Sequence, residues 1–392
     1  MRRVLLVDPV FHVHSPVHYK AAVGSDGFED AQFVIVTGGI GERDRDRMRE
    51  FVRDHPRVEL RELGIRAQNL TGRWQSHRAY AESVEATEEI LRRESFDFFT
   101  YLMFDNALPT FAFPGAKKRL RAHQAVGVRG LLMRDNGLRP PPRPSIKERI
   151  RAWGDRLILD RALKSGMIRK LAFYDHRCAD RARARYGEVC GRGIDPIEIQ
   201  PCDPVAAREK IGAPCDAWVA LMFGVISARK GVVETLEILA EARLDLRRLL
   251  IVLAGPVEKS LRNALEAAVE KARRKFRVLW RDEFIPEPEM PFYFAAADCV
   301  ICAYQRFNAS SGILLQAASH GKPAIVSREG VMHDAVEEFH FGEAVDLAQP
   351  KTLVDAVERL MNATETEREG WSAGGRKYAS TMEARHYMSQ FL

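Results

Sequence analysis

The stretch RFNASSGILLQAASHGKPAIVS, residues 306–327, sets two amides, a serine pair and a glycine at the front of an apolar helix. Asn308 and Gln316 stand eight positions apart, and both are neutral. An amide donates and accepts hydrogen bonds but has no capacity as a general base. Ser310 in a capping position starts a helix whose first N–H groups, from Ser311, Gly312 and Ile313, form an anion site that needs no acid. Gly312 lets a phosphate approach the backbone closely. A second group, FHVHSPVH, sets His12, His14 and His18 just after the first apolar run, where imidazoles can hold a metal or hydrogen-bond a ligand. Cys299 and Cys302 form a C-x-x-C inside an alternating apolar segment with no second ligand pair, so they are expected in the core.

The elements that must position these residues alternate along the whole chain. RRVLLVDPV, AQFVIVTGG, FDFFTYLMF and VGVRGLLMR read as strands, and helical segments such as RAYAESVEATEEILRRES separate them. After the proline-rich GLRPPPRPS and several basic helices, a second alternation begins with WVALMFGVI, then RRLLIVLAGP, FRVLWRDEF, DCVICAY and PAIVS. Such βα repetition predicts α/β architecture with parallel sheets covered by helices. Two domains with a boundary near residue 200 are expected: 1–200, 201–375, and a helix over 376–392 that returns to the first domain.

Composition narrows the classes. The chain has 392 residues, 46% hydrophobic and 29% charged, which describes a folded protein with room for two cores. The first apolar run stops at Asp8, too soon for a signal-peptide core, and no stretch approaches the ~18 apolar residues of a spanning helix. Six scattered cysteines fit a reducing compartment, so a cytoplasmic location is expected. The net charge of +6 is concentrated: residues 117–192 hold 21 Lys and Arg against 7 Asp and Glu. That excess points to anionic contacts, including peripheral contact with the inner face of a membrane. Aromatic residues are not interleaved for single-strand binding and no nucleic-acid motif appears, so no nucleic-acid partner is expected.

The ordered pieces of the second half resemble the donor-binding half of a GT-B glycosyltransferase of the retaining family 4 type. In FGVISARKG the Lys-Gly of that family is kept as Lys230 and Gly231, Gly224 ends the strand, and Val225 stands where the family has arginine. LLIVLAGP, MPFYFAAADCVICAY and LLQAASHGKPAIVS follow in the family's order over roughly 195–360. The resemblance implies two Rossmann-like domains facing across a cleft, no cofactor and no metal, and a nucleotide diphosphate sugar as donor. A glycan, a lipid-linked molecule or a small molecule would be the acceptor. It further implies that Lys230 and Arg229 neutralise the departing diphosphate and that His14 faces the acceptor side. Gly224, Asn308, Ser310, Ser311, Gly312, Ile313 and Gln316 would hold the donor. The family's two glutamates, eight apart, are here the amides Asn308 and Gln316. A fold that kept nucleotide-sugar or glycan binding without turnover is therefore the alternative.

His-x-His after a first strand also opens metal-dependent amidohydrolases, a reading that requires one eight-stranded barrel. Asp44-Arg45-Asp46 lies in a charged helical run and reads as a solvated face rather than a metal pair. TGGIGERD lacks the third glycine of a dinucleotide fingerprint. Arg134 and Asp135, at the end of a strand, are expected near the acceptor.

Overall fold

The computed structural model describes residues 2–11, 15–63, 73–133, 137–139, 144–198 and 200–392. His12, His14, Arg134 and Asp135 lie outside them. The chain divides into two units, 1–196 with 384–392, and 197–383.

In the first unit β1 (Arg3–Asp8), β2 (Gln32–Gly38), β3 (Val58–Leu63), β4 (Phe98–Tyr101), β5 (Val128–Leu132), β6 (Ile168–Phe173) and β7 (Cys190–Arg192) form one parallel sheet in the order 3-2-1-4-5-6-7. In the second, β8 (Trp218–Phe223), β9 (Leu249–Ala254), β10 (Arg277–Arg281), β11 (Cys299–Cys302), β12 (Ala324–Ser327) and β13 (Gly342–Val345) pair in the order 10-9-8-11-12-13. Both orders reverse direction beside the unit's first strand, the doubly wound pattern. β9 is buried along its whole length, as a strand covered by helices on both faces must be. Both sheets are open. The eight-stranded barrel required of an amidohydrolase is not the fold of this chain.

A polar network crosses the first core. His123 is fully buried, with Nδ1 2.8 Å from Glu88 Oε2 and Nε2 2.8 Å from the Tyr101 hydroxyl. The carboxylate only accepts, so Nδ1 carries the proton and Nε2 accepts from Tyr101. Glu88 also accepts the backbone N–H groups of Ala122 at 3.0 Å and His123 at 3.1 Å. Burial alone would raise the Glu88 carboxyl; the bonds from His123 and the two amides overcome it and hold it at about 2.

The terminal segment rejoins the first unit at Ala384, eight residues later than the expected Arg376. Helix Glu365–Ser380 stays with the second unit, because Gly375 lets it lie close to the backbone of Ala318. The segment Ala384–Phe391 is held in the first unit by Tyr387, whose hydroxyl is 3.0 Å from His18 Nδ1, and by Arg385 O, which accepts from Ser25 Oγ at 2.9 Å. His18 is thus a core residue, stacked with Tyr174 and bonded to Tyr387.

Candidate functional site

In a doubly wound sheet the crevice for a ligand opens beyond the carboxyl ends of the strands where their order reverses, here β8 and β11. The segment after β8 is Gly224–Gly231 and the segment after β11 leads through Asn308 to the helix Gly312–Ser319. The residues picked out by spacing therefore come from the two loops that flank this crevice.

Gly224 has φ 84°, which favours glycine, and its N–H donates to Ala254 O at 2.8 Å. A Cβ added there would stand 2.9 Å from Lys230 Nζ and 3.8 Å from Ile313 Cδ1. One glycine thus brings together the ammonium of the first loop and the opening turn of the helix. Gly255, at the end of β9, has φ 139°, and a Cβ on it would lie 2.4 Å from Gly224 O. The two strand ends pass too closely for any side chain.

Lys230 is buried, and its ammonium donates to the carbonyl oxygen of Phe223. Among the described residues no carboxylate pairs with it. Burial pulls the ammonium down to about 8, and neighbouring Arg229 adds to the effect. An unpaired buried cation of this kind gains strongly from an anion placed beside it. Arg229 is exposed, and its guanidinium lies over Phe307 with Cζ 4.3 Å from the ring centroid and 5.1 Å from that of Tyr304. Contact with two ring faces holds the guanidinium at the loop, where it is suited to a phosphate. Between those rings Arg306 adopts φ 51°, a strained backbone of the sort found where a loop is shaped for a ligand.

The helix cap is Ser311, one residue later than Ser310, and its side chain makes no capping bond. The first intrahelical bond runs from Leu315 N–H to Ser311 O at 3.2 Å, so the N–H groups of Gly312, Ile313 and Leu314 precede the ladder. Asn308 is exposed at the tip of the loop and Gln316 is half-buried one turn into the helix. One turn further on, His320 packs inward: it stacks on Phe294 and its Nδ1 lies 2.9 Å from Gln316 O. Cys299 and Cys302 are fully buried in β11, and burial pushes the Cys302 thiol up to about 11.

Two features escaped the sequence reading. Asp8, at the end of β1, is buried and accepts from Ser15 Oγ at 2.6 Å and from the Tyr19 hydroxyl at 2.8 Å; burial raises its carboxyl to about 6. An acid closing an apolar strand in front of Pro9 is its only sequence signal. On the second sheet the helix Val331–Phe339 begins beside Asn308, since a Cβ at Gly330 would be 3.4 Å from Asn308 Oδ1. That helix carries His333, Asp334 and Glu337 with ligand atoms within 4.8 Å of one another.

Residues 206–378 match the family described as glycosyl transferases group 1. The D-inositol 3-phosphate glycosyltransferase of Geodermatophilus obscurus is 29% identical over 255 residues, 62% of this chain and 53% of that protein. That of Thermobispora bispora is 28% identical over 210 residues, 49% of each. The chain spans about half the length of the curated relatives it matches. Among solved structures, the N-terminal domain of Candida albicans trehalose-6-phosphate phosphatase aligns with TM-score 0.68 at 12% identity, covering 100% of this chain and 96% of that one. HepE of Anabaena in complex with UDP aligns with TM-score 0.65 at 14% identity, covering 100% and 98%. Residues 206–378 thus match the group 1 glycosyl transferases, and the chain that carries them has the GT-B fold.

Proposed function

We propose that this protein transfers a sugar from a nucleotide diphosphate sugar to an acceptor hydroxyl, with retention of configuration and without a catalytic metal. The observation that carries the reading is the convergence at Gly224 of the Lys230 ammonium and the first turn of helix Gly312–Ser319, at the switch point of a group 1 domain. In this reading the bond from the sugar C1 to the β-phosphate oxygen breaks as the acceptor oxygen bonds C1 from the same face. The acceptor proton passes to the departing phosphate oxygen, so no side chain acts as base. The protein supplies positive charge where the diphosphate gains negative charge: Lys230, the stacked Arg229 and the N–H groups of Gly312 and Ile313. Asn308 and Gln316 hydrogen-bond the donor.

HepE is solved with UDP and the curated relatives are named D-inositol 3-phosphate glycosyltransferases, so UDP-sugars and a phosphorylated polyol head the panel to be tested. Incubation with UDP-, GDP- and ADP-sugars is expected to release nucleoside diphosphate only with acceptor present, with or without chelator. Loss of activity in chelator would move the chemistry to a metal and make His333, Asp334 and Glu337 the first residues to replace. A second reading, a binding protein without turnover, rests on the two amides, and tight nucleotide binding with no release across the panel would favour it.

Replacing either amide should be mild. Asn308→Ala and Gln316→Ala each remove a neutral bond worth about 0.5–1.5 kcal/mol, so donor KM rises by roughly 2- to 12-fold with kcat little changed. Initial-rate kinetics in donor check this, and a kcat loss beyond a hundredfold would contradict it.

A further inference from the structure

The helix Ile146–Lys164 of the first unit is apolar on two opposite sides. Leu159 and Ala162 are fully buried in the core. On the outside Ile146 is 76% exposed, Ile150 63% and Trp153 68%. At about 100° per residue these three fall within a sector of roughly 60°. One packed side accounts for the core face, and nothing among the described residues of the unit accounts for the other.

The charges around the outer stripe have one sign. Arg149 and Arg156 border it on one side and Lys147 and Arg161 on the other, and all four are exposed. None of Lys147, Arg149 and Arg161 joins an ion pair among the described residues. The carboxylates are turned away or neutralised. Glu148 lies on the opposite side and closes the capping box with Ser145, Asp155 lies beside it, and Asp160, nearest the stripe, is 3.2 Å from Arg185 and bonded to Tyr186. The patch also has a neighbour of the same kind. The short helix Leu108–Ala112 packs on this one and leads into Phe113, 62% exposed, and then to exposed Lys117, Lys118 and Arg119.

We propose that this face is a docking surface for an anionic lipid bilayer. A narrow apolar ridge ending in tryptophan, rimmed by cations, is the pattern of a helix that lies in the headgroup region, its side chains reaching the acyl boundary while Lys and Arg meet lipid phosphates. A protein partner of the obligate kind would meet a broader apolar surface with charge depleted at its centre. Docking leaves the helix folded as it is, because the ridge adds no contact to the core. The inference stands independently of the transfer reaction proposed above.

Co-sedimentation of the full chain with vesicles tests it. The protein should pellet with phosphatidylcholine vesicles containing phosphatidylglycerol, stay in solution with phosphatidylcholine alone, and be released as ionic strength rises. Ile150→Glu/Trp153→Glu and Lys147→Glu/Arg149→Glu should each weaken partitioning at least about tenfold without changing the melting transition. Brominated lipid should quench the tryptophan fluorescence of the wild type, and Trp153→Phe, which keeps an apolar ridge, should lose that quenching while still pelleting. Failure of the wild type to pellet, or equal pelleting of the charge-reversed variants, would overturn the proposal. So would a lipid-free dimer that Ile150→Glu/Trp153→Glu dissolves, since the ridge would then belong to a second copy.

Discussion

Lys230→Ala is expected to lower kcat by roughly 30- to 1000-fold, the equivalent of about 2–4 kcal/mol, with a smaller effect on donor KM. The charge of the diphosphate grows as the sugar bond breaks, so a cation beside it acts more strongly in the transition state than in the bound donor. The same burial that makes the ammonium effective makes it costly to the free protein. Its folded pKa of about 8 lies below the ordinary 10.5. Below pH 8 both folded and unfolded chains carry the proton and the cost is fully present; between about 8 and 10.5 the folded chain has shed it, and stability rises with pH. Lys230→Met should therefore raise the melting temperature at pH 7 while lowering turnover as Lys230→Ala does, a trade of stability for function that a structural lysine would not show. A bound diphosphate favours the charged form, so nucleotide affinity should fall as pH rises above about 8, by up to roughly tenfold per unit. Calorimetric titration with a nucleoside diphosphate across pH 7–9 measures the slope, and a flat profile would remove Lys230 from the anion site.

The second large effect lies far from chemistry. Glu88→Ala leaves the His123 ring N–H and two backbone amides without their acceptor in a buried place, and should destabilise the first unit by about 3–5 kcal/mol. Glu88→Gln, which keeps one acceptor oxygen, should cost less than half of that. Because the carboxyl sits near 2 in the folded chain, below its ordinary 4.5, its contribution is present above about pH 4.5 and is lost as pH falls toward 2. Urea unfolding with amide exchange followed over residues 121–126 reads both effects. A Glu88→Ala protein within 1 kcal/mol of the parent would contradict the assignment.

How far the sequence carried these conclusions depended on the range of the interactions. Strands such as Leu249–Ala254 were legible because a strand covered on both faces must be apolar without interruption. The loops after β8 and β11 were legible for a different reason: Lys230, Gly231 and the serine pair are common residues singly, and only their order, which resembles that of a glycosyltransferase family, picked them out. Register within one turn was not legible. Ser310 and Ser311 are the same residue type, and only the backbone bond from Leu315 N–H to Ser311 O shows which of them begins the helix. The stacking of Arg229 on Phe307 joins residues 78 positions apart, and the hydrogen bond of Glu88 with His123 joins residues 35 apart; neither leaves a periodic trace. Glycines 374 and 375 precede the position where a returning helix was expected, but they lie inside Glu365–Ser380, where Gly375 admits the backbone of Ala318 and a Cβ on Gly374 would strike Phe339 O. The outer stripe of Ile146–Lys164 has helical spacing like any core face, and only the exposure of Ile146, Ile150 and Trp153 separates the two.

The central claim is that a site with amides in place of both acids transfers sugar by means of its cations and backbone. The most direct measurement sets the wild type beside Asn308→Glu/Gln316→Glu under one donor and acceptor, following nucleoside diphosphate release and glycosylated product together. New carboxylates beside a diphosphate repel it and gain no proton to transfer, so the wild type should turn over and the double variant should be slower. An inert wild type that gains transferase activity with the two glutamates would contradict the account and make the natural protein a binding relative of its family.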